Sequence, residues 1–387
     1  MKNRKLVNNF LTFILEKFED VSDIIFAPGK LPQVEISGQL VNVPIATVKN
    51  MLLPYQTELI ALSLLNNDKT LINKLLDDGS VDLSYALQRK ARFRVNIFSQ
   101  RGTFSIVLRV IPTKIPTMAE LQLPTVLKHI CKEKNGLVLI TGPTGSGKSS
   151  TMAAVIDMIN NFFSYHIITI EDPIEFLHKH KKSTINQREI GSDSVSFKSA
   201  LRAALRQAPK VILVGEMRDR ETIEIALEAG ETGHLVISTL HTVDAPKTID
   251  RIVGVFPKNE EPTIRRRLAS TVKWIVSQRL IPQKGGGRIA AVEILRTSER
   301  TRDYIVSGGK EGKSLSDVMR DGHTTMGMQT FDMVLKEYIQ SNIVNLEDAL
   351  LYATNPNDLK VSLDTGAENS QASAGSMNET ADLELDI

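Results

Sequence analysis

Apolar residues at helical spacing open the chain, and short strand-like runs follow them. The first helix is predicted from the spacing of Leu6, Phe10, Phe13, Ile14 and Phe18. Further apolar patterns predict strands at 24–26 and 33–36, a helix at 54–65, a helical segment at 71–76, a strand at 83–87 and a hairpin at 91–110. Residues 1–111 are therefore predicted to form a small α+β domain.

Prolines punctuate the next stretch, at Pro112, Pro116 and Pro124. Because each proline fixes φ and lacks an N–H group, we expect residues 112–124 to be an interdomain linker. Beyond it, strands are predicted at 137–141, 166–171, 211–214 and 235–239, alternating with helices from Lys148, near 197–207 and from Asp219. This alternation predicts a parallel sheet covered by helices, in a larger α/β domain over residues 125–363.

The last segment, residues 364–387, contains Ser, Ala, Asn and acidic residues but no aromatic residue, Lys or Arg. Such a composition predicts a disordered acidic tail. A docking role for the tail is the alternative interpretation.

Composition narrows the classes of function. The chain has 387 residues, 42% of them hydrophobic, and a formal net charge of +2, so a globular protein is expected and nucleic acid is not the default partner. Cys131 is the single cysteine, which excludes an internal disulfide and a multi-cysteine zinc site. No apolar stretch approaches the roughly 20 residues that cross a bilayer. A cytoplasmic location is expected, with docking on a membrane assembly left open.

The segment after the apolar run 137–140 has the G-x-x-x-x-G-K-[ST] spacing of a phosphate-binding loop. It reads Gly142, Pro143, Thr144, Gly145, Ser146, Gly147, Lys148 and Ser149, followed by Ser150. Glycines let backbone N–H groups surround a β-phosphate, and the helix that follows adds the positive end of its dipole. Lys148 is suited to neutralise phosphate oxygens and Ser149 to bind Mg²⁺. The pattern predicts ATP and Mg²⁺ as cofactors, bound by these residues.

Two glutamates follow predicted strands at the sheet edge where ligands of α/β proteins bind. Glu171 ends the run 167–171, and Glu216 follows the run 211–214. We expect one of them to polarise the attacking water and the other to hold Mg²⁺ through water, and the spacing leaves the choice open. The neighbouring Asp172 and Asp219 are better explained as helix N-caps.

Two arginines are predicted to share one face of the hairpin. A two-residue turn at Arg101-Gly102 places Arg94 opposite Arg109 and sends the apolar residues of both strands to the other face. Like charges in direct opposition call for an anion, so the pair is a candidate for arginine fingers reaching the γ-phosphate of another domain or subunit. A surface ion pair with Asp82 or another acid is the alternative.

Other basic residues are weaker candidates. Arg202 and Arg206 lie four apart on a predicted helix and suit either a phosphate or solvent. His234 and His241 flank the predicted strand 235–239, and His241 at its carboxyl end is a candidate sensor of the phosphate state. Residues 178–182, with two histidines, are interpreted as a solvated basic loop.

Taken together, these motifs resemble the secretion-ATPase superfamily, most closely the type IV pilus retraction ATPases of the PilT/PilU family. The resemblance extends to about Leu363 and includes segments 171–176, 215–219, 239–242 and 327–332. It implies a homohexamer with a PAS-like N-terminal domain and a RecA-like ATPase domain, and it places both histidines and the arginines near the nucleotide. It also implies docking on the inner-membrane pilus platform protein at the pilus base, and pairing with a paralogous retraction ATPase.

The sequence departs from the family at two points. Where many retraction ATPases carry Ala-Ile-Arg-Asn-Leu-Ile, residues 299–305 read Glu-Arg-Thr-Arg-Asp-Tyr-Ile. The acidic tail is additional. The expected function is a hexameric ATP-hydrolysing motor that drives type IV pilus retraction, pilin depolymerisation and twitching motility. An accessory PilU-like paralogue or a nucleic-acid translocating RecA-like ATPase are the alternatives.

Overall fold

The computed structural model describes residues 2–44, 51–87, 90–309 and 314–370. The helices are α1 Lys2–Lys17, α2 Pro54–Leu65, α3 Lys69–Asp78, α4 Lys148–Phe162, α5 Phe197–Ala204, α6 Arg220–Glu231, α7 Ala245–Val253, α8 Glu261–Thr271, α9 Glu299–Ser307, α10 Leu315–Asp321, α11 His323–Met326, α12 Phe331–Gln340, α13 Leu346–Tyr352 and α14 Pro356–Ser370. A 3₁₀-helix covers Thr125–Lys132. The strands are β1 Val21–Phe26, β2 Gln33–Ile36, β3 Gln39–Asn42, β4 Ser80–Leu87, β5 Ala91–Gln100, β6 Thr103–Ile111, β7 Gly136–Thr141, β8 His166–Glu171, β9 Thr184–Glu189, β10 Val211–Val214, β11 Leu235–Leu240, β12 Val272–Pro282 and β13 Arg288–Arg296.

The chain divides into two compact units, each built from two segments. The first unit contains Met1–Ile115 and Ile159–Gly215, and the second contains Pro116–Met158 and Glu216–Ile387. The predicted domain boundaries, at 1–111, 112–124, 125–363 and 364–387, stay predictions. Residues 112–124 form neither helix nor strand, and α14 ends at Ser370. The remainder of the predicted tail, 371–387, lies outside the described residues.

The first unit contains an antiparallel sheet in the order β3-β2-β1-β6-β5-β4. In the strands other than the exposed β3, alternation sends one face into a core shared with α1 and α2, where Leu11, Phe26 and Phe93 are fully buried. Three parallel strands, in the order β10-β8-β9, belong to the same unit. The hairpin register predicted from Arg101-Gly102 is confirmed, since Arg94 pairs with Arg109. Both turn residues have the positive φ that a two-residue hairpin needs.

The second unit is built around four strands in the order β13-β12-β7-β11. Strand β7 pairs in parallel with both β11 and β12, whereas β13 pairs antiparallel with β12. Near-continuous apolar sequence buries β7 and β11 over their whole length, as expected of parallel strands with both faces covered. The predicted α/β class is confirmed. Strands β12 and β13 and the helices after α6 are absent from the sequence predictions.

Candidate nucleotide site and candidate catalytic groups

The phosphate loop joins the buried strand β7 to α4 and requires glycine at its first position. Gly142 has φ of 145°, and a Cβ there would lie 2.5 Å from the Gln278 carbonyl oxygen and from Ser146 Oγ. Any other side chain is therefore excluded at this residue. Gly145 and Gly147 also have positive φ, and a Cβ on either would meet no atom within 4 Å. At these two positions the left-handed backbone, and not crowding, selects glycine.

Buried polar atoms in the loop fit an anionic ligand. Ser146 is 3% exposed, and its Oγ has no hydrogen-bond partner among the described residues. Buried hydroxyls normally have a partner, so a ligand oxygen or an ordered water is expected here. The loop's glycine conformations and this hydroxyl fit the phosphates of a nucleotide.

Lys148 lies over the loop as its motif predicts. Its Nζ donates to the carbonyl oxygens of Gly142 and Pro143, both at 2.9 Å. Burial lowers the pKa of Lys148, and the nearby Glu216 carboxylate opposes that shift. Two neutral carbonyls are weak partners for an ammonium group, and charged phosphate oxygens would bind it more strongly. Ser149 follows as the second residue of α4.

Glu216 and His241 come together in the second unit. Glu216 Oε2 lies 2.6 Å from Arg218 Nε and 3.6 Å from His241 Nε2. The backbone supports this arrangement, because the Met217 N–H donates to the Thr239 carbonyl at 3.2 Å. His241 therefore lies where it can respond to the charge on Glu216, as a sensor of phosphate state requires.

A cavity of about 470 Å³ lies beside the phosphate loop. Its lining comprises Pro143, Thr144, Gly145, Ser146, Val243, Arg279, Leu280, Arg288, Leu351, Tyr352 and Ala353. Arg279, on β12, stacks its guanidinium 3.7 Å from the centre of the Phe331 ring. It also donates to the carbonyl of Tyr352, to Thr354 Oγ1 at 3.3 Å and to the Val243 carbonyl at 3.4 Å.

Arg279 holds together segments that are far apart in sequence, and no sequence motif predicts its role. A signal was present in the sequence: the polar run Ser277-Gln278-Arg279 interrupts the apolar residues 274–276 and 280–281, and polar residues between apolar runs of a strand need partners.

Glu171 ends β8 in the first unit, and neighbouring groups hold its carboxylate by hydrogen bonds. Its carboxylate accepts hydrogen bonds from Thr169 Oγ1 at 2.6 Å, Gln187 Nε2 at 3.2 Å and the Glu175 N–H at 3.3 Å. Burial raises the pKa of Glu171, although the bonds from Thr169 and Gln187 act in the opposite direction. A carboxylate whose pKa is raised by burial is a stronger base than an exposed one.

The hairpin arginines differ in their surroundings. Arg109 Nε pairs with Asp23 Oδ1 at 3.0 Å, an ion pair of the kind that the alternative interpretation expects, although with Asp23 instead of Asp82. The hydrogen bond that Arg109 donates to Asp23 is the main reason that the pKa of Arg109 is raised. Arg94 is exposed and has no ion-pair partner in the described part of the chain. Of the two, Arg94 is the one available to an incoming phosphate.

The other basic candidates are more isolated. Arg202 is exposed on α5, which ends at Ala204, so Arg206 lies in the turn beyond and the predicted helical spacing of the pair is lost. His234 precedes β11, at the end opposite to His241, and its Nδ1 lies 3.1 Å from the Ala229 carbonyl oxygen. Six strand residues separate the two histidines by roughly 20 Å. Within this chain, His234 is therefore remote from the phosphate loop.

The two aspartates predicted as helix N-caps have different outcomes. Asp219 caps α6, with its carboxylate accepting from the Thr222 N–H at 2.9 Å, as predicted. The prediction for Asp172 was wrong, because no helix begins after it. The segment that follows is held by side chains from β8 and β9 instead.

The glycine loop, the lysine above it and the carboxylate after β10 define a P-loop ATPase of the α/β class. A profile of the family described as "Type II/IV secretion system protein" matches residues 38–286. The chain belongs to this family.

Named relatives cover nearly the whole chain. It is 41% identical over 331 residues to the "Type IV pilus retractation ATPase PilT" of Pseudomonas aeruginosa, covering 86% of this chain and 94% of that protein. It is 37% identical over 365 residues to the "Type IV pilus ATPase PilU" of the same organism, covering 94% and 93%. A crystal structure of the pilus retraction motor PilT with bound ADP is 43% identical, covers 91% of this chain and 98% of that one, and superposes with a TM-score of 0.79.

Proposed function

We propose that this chain is the ATP-hydrolysing motor of type IV pilus retraction, acting as a homohexamer that docks on the pilus platform at the cytoplasmic face of the inner membrane. The observation that carries the proposal is the length of the match to a retraction ATPase, which includes the N-terminal domain as well as the phosphate loop. Within the described residues, no helix is long and apolar enough to span a membrane.

ATP hydrolysis needs a base for water, and Glu171 has the environment for one. Its raised pKa favours proton acceptance, and Thr169 and Gln187 fix the carboxylate's orientation. Glu216 would then hold Mg²⁺ through water, together with Ser149. When bound, Mg²⁺ neutralises the β- and γ-phosphate oxygens. Arg94, which has no counterion of its own among the described residues, would stabilise charge on the γ-phosphate.

The cavity beside the phosphate loop suits the other end of the nucleotide. Strand β7 is flanked by β11 on one side and by β12 on the other. Since Glu216 and His241 lie on the β11 side, the γ-phosphate belongs there. The cavity on the β12 side, next to Arg279, is then left for the ribose and base.

Glu171→Gln tests this assignment. It keeps the side chain's size but removes the base, so kcat for ATP hydrolysis should fall by about 100-fold or more while ADP still binds. The exposed Glu347→Gln is the matched control and should keep full activity. A Glu171→Gln enzyme that hydrolyses ATP at the normal rate would transfer the role to Glu216.

The retraction role is tested in cells. A strain carrying Lys148→Ala should lose twitching motility, because the motor can no longer hold the nucleotide. Normal twitching would make the chain an accessory paralogue like PilU, to which it is 37% identical. Strong, salt-dependent stimulation of the ATPase by DNA would instead indicate a nucleic-acid translocase.

A further inference from the structure

Glu189 is a buried carboxylate beside the proposed catalytic base. It ends β9, and its Cα pairs with that of Glu171 at the end of β8. Only 5% of Glu189 is exposed. A buried carboxylate is costly unless it is paired and hydrogen-bonded, so its partners indicate what it holds in place.

The partners of Glu189 come from two different parts of the first unit. Ser84 Oγ donates to Oε1, and Arg92 Nη2 lies 3.4 Å from Oε2. Both residues belong to the N-terminal sheet, on β4 and β5, and they share the face that carries Arg94, which pairs with Ser84. On its other side, Glu189 Oε2 accepts the Ile174 N–H at 3.2 Å.

The same carboxylate therefore connects the N-terminal sheet to the segment 172–178. Two adjacent N–H groups of this segment are held by two adjacent glutamates, Ile174 by Glu189 and Glu175 by Glu171. Gln187 adds two further bonds, accepting from the His178 N–H at 2.8 Å and donating to the Phe176 carbonyl at 2.8 Å.

A second hydrogen bond connects the end of the N-terminal sheet to the same segment. The Leu177 N–H donates to the carbonyl of Pro112, the residue directly after β6, at 3.3 Å. The segment 172–178 is therefore hydrogen-bonded at two points to groups that the N-terminal sheet holds, so its position is coupled to that sheet.

We propose that Glu189 is a positioning residue for ATP hydrolysis, tying the arginine-bearing face of the N-terminal sheet to the segment that orients Glu171. The proposal rests on the proposed role of Glu171 as the base. Glu189 does not touch the nucleotide; it fixes Glu171 and Arg94 in one framework. Arg92 contacts Glu189 through Nη2, while its buried Nε has no hydrogen-bond partner in the described structure, so Glu189 is the acid that neutralises this guanidinium. A displacement of about 1 Å at a catalytic group can lower the rate up to 100-fold.

A double-mutant cycle tests the proposal. Glu189→Gln and Arg92→Gln each break the ion pair, and each should lower kcat about tenfold while KM for ATP changes less than twofold. The double variant should be no slower than either single variant, since both act through one contact. Arg92→Lys keeps the charge and should restore part of the rate. Ser84→Ala, which removes one hydrogen bond, should give a smaller loss in the same direction.

The control is an exposed ion pair in the same domain. Lys90 pairs with Glu16 on the surface, so Lys90→Gln should leave kcat unchanged. Equal melting temperatures and ADP affinities for all variants would show that they are folded. An unchanged kcat in Glu189→Gln, losses that multiply in the double variant, or an effect confined to KM would each overturn the proposal. If Glu171→Gln keeps its normal rate, Glu171 is not the base. The double-mutant cycle still measures whether Arg92 and Glu189 act through one contact.

Discussion

At the scale of single residues, Glu293 is the most perturbed acid outside the proposed catalytic groups. It lies on β13, is 3% exposed, and accepts the Ala245 N–H at 2.8 Å. Burial raises its pKa to about 7, and the charge of Asp244 adds to the shift, while the Ala245 hydrogen bond and Arg279 oppose it. Below about pH 7, the folded protein therefore favours the protonated form of Glu293.

This shift predicts how stability depends on pH. Between the ordinary glutamate value near 4.5 and about 7, the folded protein keeps a proton that the unfolded chain has lost. The free energy of unfolding should therefore fall as pH rises through this window, by at most about 3 kcal/mol. Glu293→Gln removes the ionisation, so the variant should match the wild type near pH 4.5 and be more stable at pH 8.

Denaturant midpoints measured at pH 4.5, 6 and 8 check this expectation. Glu347→Gln, at an exposed site, serves as the control and should follow the wild type at each pH. A constant difference in midpoint between Glu293→Gln and wild type across the three pH values would mean that folding does not raise the pKa of Glu293.

The sequence predicted some site residues and not others for physical reasons. Lys148 and Ser149 were found because backbone geometry around a phosphate demands a fixed local spacing. Glu171 was found as a candidate, but its base character depends on Thr169, Gln187 and burial, which only the folded chain brings together. Glu189 and Arg279 carry no local motif. Arg92, the ion-pair partner of Glu189, lies 97 residues away in the chain, and the hydrogen-bond partners of Arg279 lie 36 or more residues away, so local spacing contains no signal of these contacts.

At the scale of elements, the hairpin and the strand–helix alternation were predictable because turn chemistry and apolar periodicity are local. Strand β9 was not, since of its residues Thr184–Glu189 only Ile185 is apolar. Its position is fixed by pairing with β8 instead. The packing of residues 352–354 beside β12 likewise arises from tertiary contacts through Arg279 and Phe331.

The contacts between β12 and the segment after α13 predict which part of the nucleotide depends on Arg279. We expect the ribose and base to depend on it, and the phosphates to depend on the loop 142–149. Arg279→Ala removes one wall of the cavity and the bonds that hold residues 352–354. ADP affinity should fall about tenfold, which corresponds to a loss of about 1.4 kcal/mol of binding free energy. Binding of tripolyphosphate, which has no ribose or base, should change less than twofold because the loop 142–149 is intact.

Calorimetric titration of both ligands measures the difference. Arg302→Ala, at an exposed residue of α9, is the control and should bind both ligands normally. Equal losses for ADP and tripolyphosphate would show that Arg279 supports the phosphate loop itself and not a subsite for the ribose and base.

At the scale of the whole molecule, the question is which chain supplies the arginine to each active site. In a ring of identical subunits every interface is the same, so an arginine can act on its own chain's nucleotide or on a neighbour's. Arg94 lacks an ion-pair partner among the described residues, as expected of a group whose anion arrives from outside its own unit. We expect it to act on the neighbour's nucleotide.

Mixing two inactive variants distinguishes these possibilities. Lys148→Ala loses the phosphate loop but keeps Arg94, whereas Arg94→Ala keeps the loop and lacks the arginine. In hexamers reassembled from equal amounts, about one quarter of the interfaces should pair an intact loop with an intact arginine from the neighbour, restoring about one quarter of the ATPase rate. Each variant alone, taken through the same reassembly, should stay inactive. If the mixture is also inactive while co-purification of differently tagged subunits shows mixed hexamers, Arg94 acts within its own chain.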